Sequence, residues 1–329
     1  MAWASGTNGT VVRTEDGGYE WQPCTVPPGA EHLDFRGIQA FDANTAIVMS
    51  SGKGDLSRLY KTTDGCQTWK LVFTNPDKDG FWDALEFQGH DRGFILGDPV
   101  AGHFVLFFTL NGGNKWGREI TEDLEATNAK AGVFAASNSA MTLGYEGMPM
   151  FGTSGPEGPW LYIPESVCAS ITAREDPAGC FNGALRFERV KLPLAGSSPS
   201  AGIFSIALGP AGSVVVAVGG DYGKPDAVAG TAATTTPRLN PAKAAAAEKP
   251  PNGYRSSVAC DAATKAWITV GPNGTDISTD DGRNWRAVHP NAALHEAPDA
   301  DRNWNAISLP FVVGPHGRIG KLDPPAGIQ

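Results

Sequence analysis

Short apolar segments recur along the whole chain, and turns rich in glycine, aspartate and asparagine separate them. Within one period, two apolar strands joined by a turn are followed by a glycine turn and a third strand. A turn that contains aspartate and a fourth strand that begins at tryptophan complete the period. Brief apolar runs of this kind, bounded by turn residues, predict strands rather than helices. Four short strands in each period are typical of a propeller blade.

The turn before the fourth strand carries the most regular motif, Thr/Ser-x-Asp-x-Gly-x-x-Trp. Its first three copies begin 48 and 47 residues apart, and a degenerate copy keeps only Thr153 and Trp160. Asp and Thr/Ser side chains cap backbone N–H groups in tight turns, and tryptophan packs between sheets, so we expect a structural role. The second copy has cysteine in the glycine position and the third has asparagine for aspartate. The four clear copies are Thr14-Asp16-Gly18-Trp21, Thr62-Asp64-Cys66-Trp69, Thr109-Asn111-Gly113-Trp116 and Ser278-Asp280-Gly282-Trp285.

This period predicts a single all-β domain over residues 1–329, a seven-bladed propeller with four-stranded antiparallel blades. An insertion is expected between blades at about 164–185, and a low-complexity surface loop at about 225–252, in which a short alanine-rich helix would be marginal. The blades are expected at about 3–26, 34–75, 81–121, 130–163, 186–240, 253–290 and 293–323.

The two ends of the repeat are incomplete. The last blade stops at Leu322-Asp323 before its aspartate turn, and the first begins at Trp3 without an innermost strand. Propellers usually close by letting one terminus complete the blade of the other, which removes open edges. We therefore expect that a native N-terminal segment, which would supply a closing strand, is missing from this chain.

The net charge and the spacing of the cysteines argue against several classes of function. The net charge is −9, which argues against a nucleic-acid partner, and no apolar run is long enough to span a bilayer. No Cys-x-x-Cys pair occurs and the histidines are scattered, so neither a metal nor a cofactor is expected. Cys168 and Cys180 lie twelve residues apart in a turn-rich stretch, where either a local disulfide or two free thiols fit the sequence.

Ligands of a propeller are expected at the mouth of its central channel, which the innermost strands and the inter-blade loops line. Charged side chains at these positions are candidates for binding a partner. The alternative is that they pair with one another and hold the blades together. The candidates are Arg36, Asp83, Asp98, Asp221 and Arg255.

Together with the aspartate turns, several segments resemble the photosystem II stability/assembly factor-like propellers, a branch of the BNR/Asp-box repeat proteins. The resemblance covers nearly the whole chain outside 164–185 and 225–252. It implies a seven-bladed, usually exported propeller that binds assembly intermediates without catalysis, and an arginine patch for which Arg36 and Arg255 are the counterparts. The segments are Asp34-Phe35-Arg36-Gly37-Ile38, Gly97-Asp98-Pro99, Gly219-Gly220-Asp221-Tyr222, Gly253-Tyr254-Arg255-Ser256 and Gly314 to Leu322.

The competing function is a sialidase-like or other glycoside hydrolase, since Asp-box repeats also mark such enzymes. Asp83, Asp98 and Asp221 are the candidate carboxylates. Against it, the Phe-Arg-Gly-Ile segment lacks the proline of the sialidase motif, and the adjacent Tyr254 and Arg255 face opposite sides of a strand. We therefore expect a monomeric, non-catalytic scaffold outside the cytoplasm, periplasmic or extracellular. Its partner would be a protein or peptide, such as a membrane-protein assembly intermediate, with carbohydrate as the alternative ligand.

Overall fold

The computed structural model describes residues 1–144, 147–165, 185–237 and 243–322. These residues form seven separate antiparallel sheets, in each of which strands adjacent in sequence are hydrogen-bonded neighbours. Five sheets have four strands, and the first and last have three. The predicted seven-bladed all-β propeller is confirmed.

Strands are numbered in chain order and blades are numbered with them. Blade 1 contains β1 (Ala2–Ser5), β2 (Val11–Thr14) and β3 (Gln22–Pro23), and blade 2 contains β4 (Phe35–Ala40), β5 (Ala46–Ser50), β6 (Arg58–Thr62) and β7 (Lys70–Thr74). Blade 3 contains β8 (Trp82–Gln88), β9 (Arg92–Val100), β10 (His103–Thr109) and β11 (Gly117–Arg118), and blade 4 contains β12 (Met141–Leu143), β13 (Pro149–Gly152), β14 (Trp160–Pro164) and β15 (Phe187–Lys191). Blade 5 contains β16 (Ala201–Leu208), β17 (Val215–Asp221), β18 (Ala232–Thr236) and β19 (Lys243–Ala246), and blade 6 contains β20 (Ser257–Asp261), β21 (Ala266–Gly271), β22 (Gly274–Ser278) and β23 (Arg286–Val288). Blade 7 contains β24 (Ala306–Ser308), β25 (Phe311–Val313) and β26 (Ile319–Lys321). Short 3₁₀ turns lie at Gly54–Leu56, Glu122–Leu124, Pro210–Gly212, Ala292–Leu294 and Pro315–Gly317.

The apolar core lies between neighbouring blades. Between blades 2 and 3, Phe73 stacks on Trp82 with ring centroids 5.2 Å apart, and Ile47 packs in the same cluster. Because each sheet buries both faces against its neighbours, the second strands are almost wholly apolar, as in Ala46–Ser50, which is buried throughout. Because the blades pack face to face around a ring, their innermost strands line the central channel.

The four aspartate turns share one hydrogen-bond network. In blade 2, Thr62 Oγ1 donates to Asp64 Oδ1 (2.8 Å), and the Cys66 backbone N–H donates to Thr62 Oγ1 (3.1 Å). The same two bonds occur at the other three turns, with Asn111 in place of aspartate in blade 3. The first turn residue therefore ends the third strand, and its hydroxyl fixes the chain that leads to the fourth.

The ring closes between blades 7 and 1 by the contact that joins other blades. The turn glycine of blade 3, Gly113, faces Ile47 of blade 2, and Gly18 of blade 1 faces Phe311 of blade 7 in the same way. A Cβ at Gly18 would lie 2.6 Å from Phe311 Cε1, so only glycine fits there. The rings of Trp21 and Phe311 meet edge to face at 5.6 Å, and Lys321 Nζ donates to the Gly17 carbonyl (3.1 Å).

A disulfide joins blades 1 and 2. Cys24 follows β3, Cys66 occupies the glycine position of the second aspartate turn, and their Cα atoms are 5.3 Å apart. Cys66 has a φ of 66°, the left-handed conformation that glycine adopts at the other turns. The sequence pair Cys168 and Cys180 lies outside the described residues.

Blade 4 is larger than the sequence predicts. Phe187–Lys191, expected to open blade 5, is instead its fourth strand and pairs with β14 from Trp160↔Lys191 to Pro164↔Phe187. The strands on either side of the expected inter-blade insertion therefore belong to one blade. The degenerate motif also differs in position: Thr153 and Trp160 flank the turn between the second and third strands, where Trp160 N–H donates to Thr153 Oγ1 (3.1 Å).

The prediction of a surface loop at 225–252 is also wrong in part, because this segment contains the two outer strands of blade 5. Ala232–Thr236 pairs with β17, and Lys243–Ala246 pairs with Ala233–Thr236. The β-branched threonines favour extended backbone, and Ala233 is buried against the neighbouring blade-4 and blade-5 core. The alanine run that allowed a marginal helix is a strand.

Candidate functional site

A bulge in the innermost strand recurs in three blades and places one extra residue at the same position in each. In blade 3, Trp82 pairs with Gly97 and Ala84 pairs with Leu96, so Asp83 is the extra residue. Arg36 has the same position in blade 2 and Phe204 in blade 5. Bulges re-aim side chains and are frequent beside functional sites. Two of the predicted site residues therefore occupy equivalent positions.

Arg36, Asp83 and Asp98 form one cluster on the channel side of blades 2 to 4. Arg36 is exposed, and its Nη1 donates to the Ala135 carbonyl (3.1 Å) of the segment leading into blade 4. Asp98, near the end of β9, accepts a hydrogen bond from the Val133 N–H at Oδ1 (2.9 Å). The cluster therefore fixes the chain between blades 3 and 4 across the mouth.

Asp83 is the most perturbed group of this cluster. Its side chain is buried, with the residue only 1% exposed, and Oδ2 has no hydrogen-bond partner among the described residues. Burial, and then the nearby Asp98 carboxylate, raise the pKa of Asp83 well above its ordinary value, while Arg36 lowers it. Burial also raises the pKa of Asp98. Burial therefore keeps the Asp83 carboxyl protonated to a higher pH than an exposed aspartate.

Asp221 lies away from this cluster and stabilises a turn. Its Oδ1 accepts hydrogen bonds from Ser200 Oγ (2.6 Å) and the Gly223 N–H (2.9 Å), and Oδ2 accepts one from Ser198 Oγ (3.1 Å). The Ser200 bond is the main cause that holds the pKa of Asp221 below its ordinary value. Asp221 therefore remains ionised and positions Tyr222 beside it.

Arg255 lies beneath the surface, not on it. It precedes Ser257 by two residues, as Trp82 precedes Ala84, and Ser257 pairs with Val270 as Ala84 pairs with Leu96. Arg255 thus fills the buried position that Trp82 occupies, with 0% exposure, and its guanidinium pairs with the Asp276 carboxylate. The structure therefore leaves its side chain no contact with a partner in solution. Tyr254, its neighbour, faces the other side.

An aromatic pocket, which no sequence argument anticipated, opens beside Tyr254. Its volume is about 360 Å³, and the lining joins blades 5, 6 and 7. Tyr222 is 56% exposed at its rim, and Phe204 packs under it with its ring 4.7 Å from that of Tyr254. Phe134 stacks on Phe204 at 3.7 Å and extends this surface towards Arg36. The lining residues are Ala136, Tyr222, Pro225, Tyr254, Ser256, Pro272, Trp304 and Asn305.

The mouth thus has a polar part, with Arg36 and Asp98, and an aromatic part, with Tyr222 and Tyr254 at its centre. Flat aromatic walls and a few fixed polar groups suit the recognition of a side chain and a peptide backbone. An alignment of the innermost strands identifies Phe204 as a candidate site residue, because it occupies the same bulge position as Arg36 and Asp83.

Neither a metal-ion cluster nor a membrane-spanning helix is found in the part of the chain that the structure describes. No three His, Cys, Asp or Glu side chains lie together there in a way that would hold a metal ion. No helix among those residues is long and apolar enough to cross a membrane.

Two solved structures of YCF48 are similar to this fold. YCF48 from Cyanidioschyzon merolae matches 97% of this chain and 90% of its own, with 18% identity and a TM-score of 0.61. YCF48 bound to a D1 peptide matches 90% of this chain and 80% of its own, with 15% identity and a TM-score of 0.56. The fold is that of the YCF48 propellers.

Another solved structure is similar in fold at lower identity. Saccharomyces cerevisiae Sqt1 matches 89% of this chain and 75% of its own, with 11% identity and a TM-score of 0.53. No protein-family model matches the sequence, and no curated protein matches it significantly. At identities this low, the similarity shows a shared fold only. The ligand has to be inferred from the chemistry of the site itself.

Proposed function

We propose that this protein is a non-catalytic scaffold that binds an extended segment of a partner protein at the channel mouth. The aromatic pocket around Tyr222 and Tyr254 is the observation that carries the proposal. A YCF48 propeller of the same fold has been solved with a D1 peptide bound, which supports a peptide as the ligand class.

In this proposal the pocket takes an apolar side chain of the peptide. Aromatic walls supply a large contact area and lose little conformational entropy on binding. Arg36, exposed on the polar part of the mouth, retains donors for a peptide carbonyl or carboxylate beyond its bond to Ala135. Asp98 contributes the polar rim, Asp221 acts by positioning Tyr222, and Asp83 and Arg255 act from below the surface.

We also propose that the protein works outside the cytoplasm, in the periplasm or the extracellular space. The Cys24–Cys66 disulfide supports this location, because such bonds persist in oxidising compartments. Alkylation of the protein at the moment of cell lysis, followed by intact mass measurement, tests it. A fully reduced pair in that sample would contradict the location.

Selection of a random peptide library on the purified protein tests the function. Wild type and Tyr19→Ala should enrich the same peptides, whereas Tyr222→Ala should lose them. Tyr19 is a matched control because it is an exposed tyrosine (88%) at the aspartate turn of blade 1 and does not line the pocket. No enrichment, or equal enrichment on both variants, would contradict the proposal. Turnover of a glycoside panel that Asp83→Asn abolishes would favour the hydrolase.

A further inference from the structure

The lining of the aromatic pocket is uncharged. None of the eight described residues that form it carries a formal charge, and five of them are aromatic residues or prolines. The carboxylates of the adjoining loop are already bonded, since Asp221 accepts hydrogen bonds from its own turn and Asp226 Oδ1 accepts one from Asn273 Nδ2 (2.9 Å). An unpaired charge buried against such rings would lose its hydration without compensation. The occupant that matches this lining is therefore neutral.

Two of the pocket walls are prolines whose carbonyl groups are held by hydrogen bonds. The Pro225 carbonyl accepts from the Tyr254 N–H (2.9 Å) and from Asn273 Nδ2 (2.8 Å). The Pro272 carbonyl accepts from the Asn303 N–H (3.3 Å). Because the ring also fixes the φ angle of a proline, both walls have little freedom to move. A site that is rigid before binding loses less conformational entropy when a ligand enters.

Three aromatic side chains complete the walls. Trp304 is buried, and its Nε1–H donates to the Ala300 carbonyl (2.9 Å). Tyr254 packs edge to face on Phe204, and the more exposed Tyr222 meets the same ring edge to face with centroids 6.1 Å apart. Ring packing therefore fixes the aromatic walls before a ligand binds.

Three side chains of the lining carry donors that have no acceptor in the part of the chain that the structure describes. They are the hydroxyl groups of Tyr222 and Tyr254 and the side-chain amide of the exposed Asn305. Burial, and then the nearby Tyr222, raise the pKa of Tyr254, so its hydroxyl keeps the proton that it can donate. The pocket thus has donors ready for a ligand that supplies carbonyl oxygens.

A proline within a polyproline II segment matches walls and donors of this kind. Its ring is apolar, and it has a carbonyl group but no N–H that would lie unpaired against the rings. Any other residue brings a backbone N–H, which needs an acceptor when it is buried. A polyproline II backbone forms no internal hydrogen bonds, so its carbonyls are free to accept. Grooves lined by aromatic side chains commonly bind such segments.

We propose that the aromatic pocket binds a proline of a polyproline II segment in the partner protein. The proline ring enters between Tyr222 and Tyr254, and carbonyls of the segment accept hydrogen bonds from the tyrosine hydroxyls and from Asn305. This inference rests on the peptide-binding function proposed above and names the class of peptide that the pocket takes.

The probe is a nonaproline peptide labelled with fluorescein, and its matched control is an alternating glycine–serine peptide of the same length and label. Fluorescence anisotropy measures the binding of each peptide to the full chain. Wild type should bind nonaproline about tenfold more tightly than the control, which corresponds to about 1.4 kcal/mol. Tyr222→Ala should abolish this difference, whereas Tyr19→Ala should retain it because Tyr19 does not line the pocket.

Two conservative variants test the hydrogen bonds to the ligand. Tyr254→Phe removes a hydroxyl and keeps the ring that packs on Phe204, and Asn305→Asp replaces the donating amide by an acceptor. Each should weaken nonaproline binding about fivefold, as expected for the loss of one hydrogen bond. The melting temperature should not change, because these groups have no bond to lose within the described part of the free protein. Unchanged binding by both variants would contradict a carbonyl ligand.

Peptides selected from the random library separate this inference from the function on which it rests. Those enriched on wild type should share a proline at one position, and replacing it with alanine should weaken binding about tenfold. Peptides that depend on Tyr222 but have an aliphatic, aromatic or basic residue there would overturn the inference and leave the peptide-binding function intact.

Two further results would count against the proposal. Nonaproline binding that is equal in wild type and Tyr222→Ala would place the proline site outside the aromatic pocket and overturn the inference alone. A library that enriches no peptide, together with no binding of nonaproline, would overturn both the inference and the proposed function.

Discussion

The Arg255 guanidinium pairs with the Asp276 carboxylate inside blade 6, and neither side chain reaches solvent. Removing one partner of such a pair leaves an uncompensated buried charge, so Arg255→Ala should lower the free energy of unfolding by about 3–5 kcal/mol. Urea titration measures this.

The double variant Arg255→Met/Asp276→Leu is the control for that prediction. It should recover most of the loss, because apolar residues of similar volume often replace a buried ion pair without cost. A double variant as unstable as Arg255→Ala would mean that the pair is needed for more than charge compensation.

Reduction of the Cys24–Cys66 bond should destabilise the ring. The crosslink spans 42 residues of sequence, for which loop-closure entropy gives about 4 kcal/mol. Cys24→Ser/Cys66→Gly should be more stable than Cys24→Ser/Cys66→Ser by about 1 kcal/mol, because the residue at position 66 has a positive φ. Thermal unfolding with and without reductant checks both differences, and equal stability of the two double variants would contradict the backbone argument.

Asp83 should make the protein less stable as pH rises. Its pKa is raised in the folded state, so the folded protein binds a proton that the unfolded chain releases above its value near 3.8. Stability should therefore fall with increasing pH, by at most about 1.4 kcal/mol per pH unit for this one group. Asp83→Asn should flatten the curve of unfolding free energy against pH and be more stable than wild type at pH 7.

Glu86 supplies an internal comparison for that curve. Burial raises its pKa to about 7, so a smaller slope should remain in Asp83→Asn up to that pH and disappear in Asp83→Asn/Glu86→Gln. A pH dependence that is the same in wild type and Asp83→Asn would show that Asp83 is already ionised.

Asp221→Ala should weaken peptide binding at the mouth with little change in melting temperature. It removes the carboxylate that accepts from Ser198, Ser200 and the Gly223 N–H, and thus frees the loop that carries Tyr222. Isothermal titration with a peptide selected on wild type measures the loss. Asp261→Ala is the control, since that aspartate accepts similar turn bonds from Ala263 and Thr264 elsewhere on the surface.

The architecture follows from sequence because the first three aspartate turns repeat at nearly constant spacing and each of the four clear copies precedes a fourth strand. Blade boundaries are wrong where this turn is lost: Thr153 and Trp160 flank a different turn, and the threonine and alanine strands of blade 5 lack the usual large apolar residues. Local pattern alone does not assign a strand to its blade.

The site was harder to predict because a bulge changes which way neighbouring residues face. Arg36 and Asp83 are the bulge residues of their innermost strands, whereas Arg255 lies one residue earlier in the pattern and is buried. The Cys24–Cys66 pair depends on two blades meeting, which residues far apart in sequence do not reveal.

Gly18 and Phe311 belong to the joint between blades 7 and 1, which is built like other joints of the ring and differs from the joint between blades 1 and 2. Side-chain packing and the Lys321 bond close it, whereas the next joint is covalently crosslinked through Cys24 and Cys66. Opening the ring between blades 7 and 1 breaks no covalent bond, whereas opening it between blades 1 and 2 requires reduction of the disulfide, so we expect the first of these joints to open before the second.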